Sequence, residues 1–358
     1  MKLRENAAFD LVIPTSIGIR ITPLNRQPVH VSREYSMQST SAESNVGQVS
    51  ASLGKQVKLL TNFVEGSPIS AFIKSDLGFR GIAYEGPDVE QGGPWGYRHQ
   101  FNIADSGYGL RGPRVHNDRA GEVGRTLKAE DFDLDRIFAK DGAKVVHLSG
   151  LIAALSEEAS EFCLDVARKA KAEGAKISFD LNHRASFWEG REEELGKAFH
   201  EIASLADILI GNEEDYQLAL GIKGPETDLI DGLEEKIDGF KEMIERVHKQ
   251  YPNCSVFANT LREVRSANEH MWGALVYENG NWHVEEPREI QVLDRIGGGD
   301  GFVGGLLYSI ISEKDPSDWV KFAWATGVLA TTMLTDYGSP ADEEMVWSIY
   351  EGNARVRR

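Results

Sequence analysis

The chain contains 358 residues, and its 56 acidic side chains outnumber 39 lysines and arginines to give a net charge of −17. This charge argues against nucleic acid and anionic membranes as partners, because both require a basic face, and no apolar run approaches the length of a membrane span. Cys163 and Cys254 lie far apart in apolar runs, which predicts two buried thiols and a cytoplasmic location rather than a disulfide.

The N-terminal third is predicted to form short strands and two helices. Strands are indicated at 9–13, 19–21, 29–31 and 57–63, and helices at 45–53 and 69–77. Gly78 is placed as the residue that ends the second helix. The segments Ile19-Arg20-Ile21 and Val29-His30-Val31 alternate in the manner of exposed strands, so we expect a small sheet there.

Residues 81–125 differ in composition from the rest of the chain. They are rich in glycine, poor in aliphatic residues, and contain scattered aromatic and basic side chains, among them Tyr97 and Arg119. A segment of this length is too long for a structureless loop in a compact domain. We therefore predict an insertion that forms short strands over a binding site, with residues 15–38 and 82–122 as a lid.

Strand and helix patterns alternate regularly from residue 144 onward. Strands are predicted at 144–148, 176–180, 207–211 and 254–258, a hairpin at 274–277 and 282–284, and helices at 157–173, 192–203, 213–220, 239–249, 301–312, 317–332 and 342–351. This alternation is typical of α/β proteins with a doubly wound, mostly parallel sheet and helices on both faces, here in one domain of residues 1–358. Ligands of such sheets bind at the carboxyl ends of the strands.

A glycine-rich loop follows a short apolar run and precedes a buried helix near the C-terminus. Gly297, Gly298 and Gly299 let successive backbone N–H groups converge, and the following helix adds the partial positive charge of its N-terminus. Phosphate is the ligand that such a site favours. Asp300 would repel phosphate unless it serves as a base for a hydroxyl that attacks the phosphate. A simple helix N-cap is the alternative.

Two arginines are candidates for binding an anionic ligand. Arg184 directly follows a strand, where its guanidinium can hold a carboxylate or a phosphate in two-point contact. An ion pair with Asp180 or Glu189 is the alternative for this residue. Arg119, at the end of the insertion, is the second candidate.

The segment Asn212-Glu213-Glu214-Asp215 has two interpretations. It can be a helix N-cap with an acidic first turn that matches the helix dipole, or it can take part in a magnesium site. No spacing of histidines and cysteines indicates zinc, and no order of Ser, His and Asp or pair of Cys and His suggests acyl transfer.

Two other nucleotide-binding motifs also contain closely spaced glycines. The pattern Gly299-x-Gly301-x-x-Gly304 matches the dinucleotide fingerprint. No later strand–helix–strand unit follows it, however, and no strand ends in an acidic residue about twenty positions on. A P-loop is excluded because no Gly-Lys-Ser/Thr sequence follows the glycines.

Together these segments resemble the ribokinase (PfkB) family of sugar kinases, and within it the 2-keto-3-deoxygluconate kinases. Asp294-Arg-Ile-Gly297-Gly-Gly299-Asp300 matches the family signature Asp-Thr-x-Gly-Ala-Gly-Asp. Residues 178–188 are similar to the branch pattern Asp-x-Asn-x-Arg-x-x-Leu-Trp, and residues 212–215 resemble Asn-x-x-Glu. Residues 115–119 resemble the lid segment aromatic-x-Arg, with Asn117 where Tyr is usual. The resemblance covers nearly the whole chain.

The resemblance implies a ribokinase-like α/β fold with a small β lid, and an ATP-dependent kinase that acts with Mg²⁺ on a primary hydroxyl of a sugar acid. It places Asp300, Gly297, Gly298 and Gly299 in catalysis; Arg184, Arg119, Asn45, Tyr97, Thr40 and Ser41 at the sugar together with Asp300; Asn212, Thr260, Arg262, Gly297 and Gly299 at the nucleotide; and Asn212 and Asp215 near magnesium through water. The expected partners are a sugar or sugar acid, ATP, and a second copy of the chain bound through the lid.

The N-terminal third departs from the family pattern at two places. Thr15-Ser16 stand where the first strand usually ends in Gly-Glu or Gly-Asp, and Thr40-Ser41 replace a Gly-Gly pair. Those glycines normally let the sugar approach the backbone, so the side chains alter the sugar pocket and leave the identity of the sugar open. A kinase for a neutral sugar such as fructose, and a sugar- or nucleotide-binding protein without turnover, are the alternatives.

Overall fold

The computed structural model describes residues 1–224 and 233–355. The strands are β1 (Phe9–Pro14), β2 (Gly18–Pro23), β3 (Tyr35–Thr40), β4 (Val57–Leu60), β5 (Phe63–Val64), β6 (Ala83–Glu85), β7 (Asp88–Val89), β8 (Phe101–Asp105), β9 (Arg114–Asp118), β10 (Ala143–Ser149), β11 (Lys176–Asp180), β12 (Ile208–Ile210), β13 (Val256–Val264), β14 (Glu269–Glu278) and β15 (Asn281–Gln291). The helices are α1 (Ala42–Ser52), α2 (Pro68–Phe79), α3 (Gly150–Ala153), α4 (Glu157–Ala172), α5 (Ala185–Trp188), α6 (Glu192–Leu205), α7 (Glu213–Leu220), α8 (Leu233–Gln250), α9 (Gly298–Ile311), α10 (Pro316–Thr331) and α11 (Glu343–Tyr350). Within these ranges no helix combines the length and apolarity needed to cross a bilayer.

The central sheet has the strand order β15-β14-β13-β12-β11-β10-β1-β4-β6. Its neighbours pair in parallel from β13 to β6, whereas β13, β14 and β15 pair antiparallel. Strands β10, β11 and β12 are buried along nearly their whole length, as expected for parallel strands whose two faces are both covered. The predicted mostly parallel sheet is confirmed, and the β14–β15 hairpin turns at Asn279 and Gly280, both with positive φ.

A second sheet contains four strands in the order β3-β2-β8-β9. One cross-strand row of this sheet consists of Gln38, Arg20, Asn102 and Asn117. Because side chains at paired positions point to the same side of a sheet, these polar side chains share one face. We call this four-stranded unit the small sheet.

The N-terminal third differs from prediction in several details, among them residues 29–31 and the end of the second helix. Residues 29–31 do not form a strand, because the amides of Val31 and Ser32 both donate to the carbonyl of Pro28 at 3.2 Å in a turn. The strand that pairs with β2 is β3, which begins four residues later. Helix α2 continues through Gly78, and Gly81, with φ of 71°, follows its end instead.

Helix α9 packs closely between α1 and α10. A Cβ atom on Gly304 would lie 2.6 Å from the carbonyl oxygen of Val46 in α1, and one on Gly305 would lie 1.9 Å from Oγ1 of Thr326 in α10. Glycine is therefore required at both positions for the helices to approach each other this closely. The packing holds the N-terminus of α9, and the glycine-rich loop before it, against the rest of the core.

Candidate active site

A cavity of about 1270 Å³ lies between the polar face of the small sheet and the carboxyl ends of β11, β12 and β13. The predicted residues that line it are Thr40, Ser41, Asn45, Arg119, Arg184, Asn212, Asp215, Thr260, Arg262, Gly297, Gly299 and Asp300. Tyr97 and Gly298, also predicted for the site, lie outside the lining, and the Tyr97 side chain is 39 % exposed. The fold thus brings together most of the sequence segments singled out for chemistry.

The glycine-rich loop turns the first amides of α9 toward this cavity. Gly297 is the N-cap with φ of 83°, and its carbonyl accepts the first hydrogen bond of the helix at 2.8 Å. The amide of Gly298 donates to the carbonyl of Arg295 at 3.4 Å, which leaves the amides of Gly299 and Asp300 as the stronger donors to an anion. No atom lies within 4 Å of the position of a Cβ on Gly299, so there is open space beside its amide.

Asp300 lies in the first turn of α9, and the N-cap position belongs to Gly297, so the N-cap alternative for Asp300 is wrong. Nδ2 of Asn45 donates to Oδ2 of Asp300 at 2.9 Å. Burial raises the pKa of Asp300 to about 7, although this hydrogen bond lowers it. A carboxyl group with a pKa near neutrality is well matched to accepting a proton at neutral pH. Asn45, predicted at the sugar, therefore also orients the candidate base.

Arg184 is an exposed side chain on the cavity wall, at the end of β11. Its Nη1 donates to the carbonyl of His183 at 2.8 Å, and in the described part of the chain it forms no ion pair with Asp180 or Glu189. Burial, followed by the charges of two neighbouring carboxylates, raises the pKa of Asp180 well above its ordinary value, while Arg184 acts in the opposite direction. The guanidinium of Arg184 can therefore meet an anionic ligand.

Arg119 is paired inside the protein. Its Nη1 lies 2.8 and 2.9 Å from the two carboxylate oxygens of Glu122, which is buried. Oγ of Ser16 donates to the same carboxylate at 2.6 Å. Glu122, in the insertion, thus places an acidic side chain next to the end of β1. In the family pattern the acidic residue at this place belongs to the end of the first strand itself. Sequence reasoning missed Glu122 because its segment carries no periodic pattern. Nε of Arg119 is buried without a partner among the described residues.

Thr15, Thr40 and Ser41, which replace residues of the family pattern, have hydroxyl groups that are already hydrogen-bonded. Oγ1 of Thr15 lies 2.8 Å from both Oγ of Ser41 and a carboxylate oxygen of Glu43. Oγ1 of Thr40 donates to Oδ2 of Asp336 at 2.7 Å. Thr40, the last residue of β3, and Ser41, the N-cap of α1, both line the cavity, and their hydroxyl groups are already bonded within the protein.

Asn212 and Asp215 form the capping box of α7, so the helix-cap interpretation is confirmed. Oδ1 of Asn212 accepts from the amide of Asp215 at 2.8 Å, and Oδ2 of Asp215 accepts from the amide of Asn212 at 3.0 Å. Each oxygen keeps a second lone pair that can accept a hydrogen bond from water. Residues 1–224 and 233–355 contain no group of three or more His, Cys, Asp or Glu side chains arranged to hold a metal ion.

The carboxyl end of β13 supplies polar groups that suit a nucleotide. Thr260 and Arg262 line the cavity, and Arg295 adds a second cation that the sequence argument did not select. Asn259 is 1 % exposed and lines the cavity, and neither polar atom of its side chain has a partner in the described structure. Buried polar atoms are rarely left unpaired in native proteins, so Asn259 can offer one donor and one acceptor to water or to a ligand in the cavity.

A model of the pfkB family of carbohydrate kinases matches residues 127–340. A 2-dehydro-3-deoxygalactonokinase from Haloferax volcanii is 23 % identical over 343 residues, which are 95 % of this chain and 96 % of that protein.

Two solved structures are similar over nearly their full length. The crystal structure of 2-dehydro-3-deoxygluconokinase from Thermotoga maritima has a TM-score of 0.85 and 28 % sequence identity, covering 96 % of this chain and 98 % of that one. A PfkB family carbohydrate kinase from Listeria grayi has a TM-score of 0.82 and 26 % identity, covering 96 % and 99 %.

Proposed function

Because the chain belongs to the PfkB family of carbohydrate kinases, we propose that it transfers the γ-phosphoryl group of ATP to a primary hydroxyl of a sugar acid. The observation that carries this proposal is the position of Asp300 beside the glycine-rich loop, in one cavity with Arg184. Similar proteins are named 2-dehydro-3-deoxygalactonokinase and 2-dehydro-3-deoxygluconokinase, which supports 2-keto-3-deoxygluconate (the same compound as 2-dehydro-3-deoxygluconate) as the leading substrate.

In this proposal Asp300 accepts the proton of the attacking hydroxyl, and Asn45 holds the carboxylate in position. The amides of Gly299 and Asp300, at the positive end of α9, stabilise the charge that spreads over the transferring phosphoryl group. Since the amides are held by the helix, they need no reorganisation when the reaction occurs. The protein thus contributes a base and a fixed set of donors.

The residues of the cavity fit a nucleotide with magnesium. Arg262, Arg295 and the unpartnered amide of Asn259 would bind ATP, and Asn212 and Asp215 would accept hydrogen bonds from water around the metal. Bound Mg²⁺ supplies charge neutralisation of the phosphates. The oxygens of Asn212 and Asp215 already bind helix amides, which supports a role through water rather than direct contact.

We assign the carboxylate of the sugar to Arg184, with the unpartnered Nε of Arg119 as a second donor. The small sheet covers the cavity as a lid that keeps out water, which otherwise competes as the acceptor of the phosphoryl group. We further propose that two chains associate through this lid, because Tyr35 and Met37 on β3 are 41 % and 44 % exposed. A reducing cytoplasm is the proposed location, in keeping with two free, buried cysteines.

The test of this function is an ADP-release assay with a panel of sugars. It should include 2-keto-3-deoxygluconate, 2-keto-3-deoxygalactonate, fructose and ribose, each at several concentrations. We expect kcat/KM for the two sugar acids to exceed that for the neutral sugars by at least about a hundredfold, the effect of one charge-assisted contact. Equal rates for fructose and the sugar acids would contradict the assignment of Arg184.

A kinase for a neutral sugar is the second candidate, and one observation favours it. Glu122 neutralises Arg119. Of the two arginines assigned to the sugar, Arg184 is then the one that has no carboxylate partner among the described residues. A preference for fructose in the same panel would select this alternative, and no ADP release with any sugar would favour a binding protein.

Substitution Arg184→Ala should raise KM for the sugar acid by about a hundredfold and change KM for ATP little, because only the sugar loses a charged hydrogen-bond partner. Steady-state kinetics with each substrate varied in turn gives both values. Arg168→Ala is the matched control, since Arg168 is an exposed arginine paired with Glu201 far from the cavity. An unchanged KM for the sugar acid in Arg184→Ala would place the carboxylate elsewhere.

The dependence of activity on pH should follow the ionisation of Asp300. The base must be deprotonated, so kcat/KM is expected to fall about tenfold per pH unit below its pKa of about 7 and to level off above it. The control is Asn45→Ala, which removes a hydrogen bond to the carboxylate and should move this limb upward by about one pH unit. If the acidic limb of the pH profile does not shift in Asn45→Ala, it reflects ionisation of the phosphates of ATP instead of Asp300.

A further inference from the structure

Arg20 is a buried cation between two buried carboxylates. The side chains of Arg20, Asp294 and Asp336 are 1 %, 0 % and 5 % exposed. Nη2 of Arg20 donates to Oδ2 of Asp294 at 2.5 Å, and Nη1 donates to Oδ1 of Asp336. The alternating pattern of residues 19–21 predicted an exposed strand, and for Arg20 this expectation is wrong, because its face of the small sheet is turned toward the cavity.

Both carboxylates belong to the segments that hold the glycine-rich loop. Oδ1 of Asp294 accepts from the amide of Ile296 at 3.0 Å, at the entry of the loop. The carbonyl of Asp336 packs against Gly297, where a Cβ atom would lie 1.7 Å from its oxygen. The loop that supplies the anion donors is therefore built on two acidic residues that are joined by one guanidinium.

The positive charge of Arg20 lets a loop that rests on two acidic residues, Asp294 and Asp336, still bind an anionic ligand. Two ionised carboxylates directly behind the loop would repel a triphosphate through an interior that screens charge poorly. One guanidinium that bonds both carboxylates removes most of that repulsion and leaves the loop amides to attract phosphate. A buried charge with such partners is costly to remove, since each partner would then be left unpaired.

We propose that Arg20 is a positioning residue for phosphoryl transfer, which compensates Asp294 and Asp336 and thereby makes the glycine-rich loop a site for the phosphates of the nucleotide. This inference rests on the proposed kinase function and deepens it. Arg20 acts through the two carboxylates that carry the loop.

Because Arg20 lies on β2, the small sheet both covers the sugar and holds the residue that supports the phosphate site. β2 is a central strand of this sheet and pairs with both β3 and β8, so Arg20 is fixed to the unit that covers the sugar. The same unit also fixes Thr40, whose hydroxyl donates to Asp336. The phosphate site is complete only while the small sheet is seated on the cavity, which couples the cover over the sugar to the donors for the nucleotide.

Arg20→Ala tests this role with two readouts. We expect the dissociation constant for a non-hydrolysable ATP analogue with Mg²⁺, measured by calorimetry, to rise at least about tenfold, and kcat to fall about a hundredfold. Added guanidinium ion should restore at least about tenfold of the lost activity by occupying the vacated space. Arg4→Ala is the matched control, because Arg4 is a partly buried arginine that donates to backbone carbonyls remote from the cavity. Guanidinium should not raise its activity.

A second pair of variants separates charge compensation from a purely structural role. Arg20→Met combined with Asp336→Asn should bind the ATP analogue at least about fivefold more tightly than Arg20→Met alone, because one of the two uncompensated charges is gone. Equal or weaker binding by the double variant would overturn the proposal, as would an Arg20→Ala protein with unchanged nucleotide affinity and kcat. If the wild type binds the ATP analogue but phosphorylates no sugar in the panel, the kinase assignment fails, and the binding comparison still decides the role of Arg20.

Discussion

Replacement of Asp300 by asparagine should lower kcat by about a thousandfold, while the affinity for the ATP analogue stays within a few-fold of wild type. A positioned base typically contributes a factor of about 10² to 10⁴, and the amide keeps the shape of the side chain but cannot accept the proton. Steady-state kinetics and calorimetric titration measure the two quantities. Asp165→Asn, on the exposed face of α4, serves as the control.

The same substitution should stabilise the protein at alkaline pH. The pKa of Asp300 is raised from its ordinary value to about 7 in the folded protein, so folding favours the protonated form. Stability is therefore lost as the pH rises from about 4 to about 7, and asparagine avoids that loss. The melting temperature of Asp300→Asn should exceed that of the wild type at pH 8, and the difference should be smaller at pH 5.

If Asp300→Asn keeps an activity within tenfold of the wild type, another group accepts the proton.

Gly297→Ala should reduce kcat/KM for ATP by at least about a hundredfold, the size expected when a preorganised donor is displaced. A Cβ atom at this position would lie 1.7 Å from the carbonyl oxygen of Asp336, and φ of 83° is itself unfavourable for alanine. The loop must shift to relieve the contact, which moves the amides away from the phosphates. Kinetics with ATP as the varied substrate, together with the melting temperature, gives the result.

The effect of the close contact can be separated from that of the backbone angle. Gly174 has φ of 88°, and no atom lies within 4 Å of a Cβ placed there. Gly174→Ala should therefore lower the melting temperature through the angle alone and keep full activity. The assigned role of the loop would be contradicted if Gly297→Ala kept the wild-type kcat/KM for ATP. It would also be contradicted if Gly297→Ala and Gly174→Ala lost the same fraction of kcat/KM.

The regular part of the chain could be predicted because local pattern and tertiary structure agree there. Helix α7 begins and ends where its cap and apolar pattern indicate, and β11 has the predicted limits. The ribokinase-like fold and the carbohydrate kinase family are both confirmed. The glycine-rich loop was recognisable because glycine spacing and the acidic residue after it have few other physical explanations.

The remaining features depend on contacts between distant segments. The burial of Arg20 follows from the pairing of β2 with strands on both sides and from acids 274 and 316 residues away in sequence. The carboxylate of Glu122, which accepts from both Arg119 and Ser16, likewise joins the insertion to the end of β1. A pattern read along the chain finds such side chains but cannot assign their partners. The assigned roles of all the site residues, from Asp300 and Arg184 to Arg119, Tyr97 and the metal-associated residues, stay predictions.

The glycine contacts along α9 have an evolutionary consequence. With Gly304 against α1 and Gly305 against α10, this helix has almost no room to shift, so the carboxylate of Asp300, the proposed base, keeps one place whatever sugar is present. Adaptation to a new sugar then falls to the other positions of the small sheet, because Arg20 and Thr40 are held by their bonds to Asp294 and Asp336. Divergence among relatives with different acceptors should accumulate in that sheet and spare the helix.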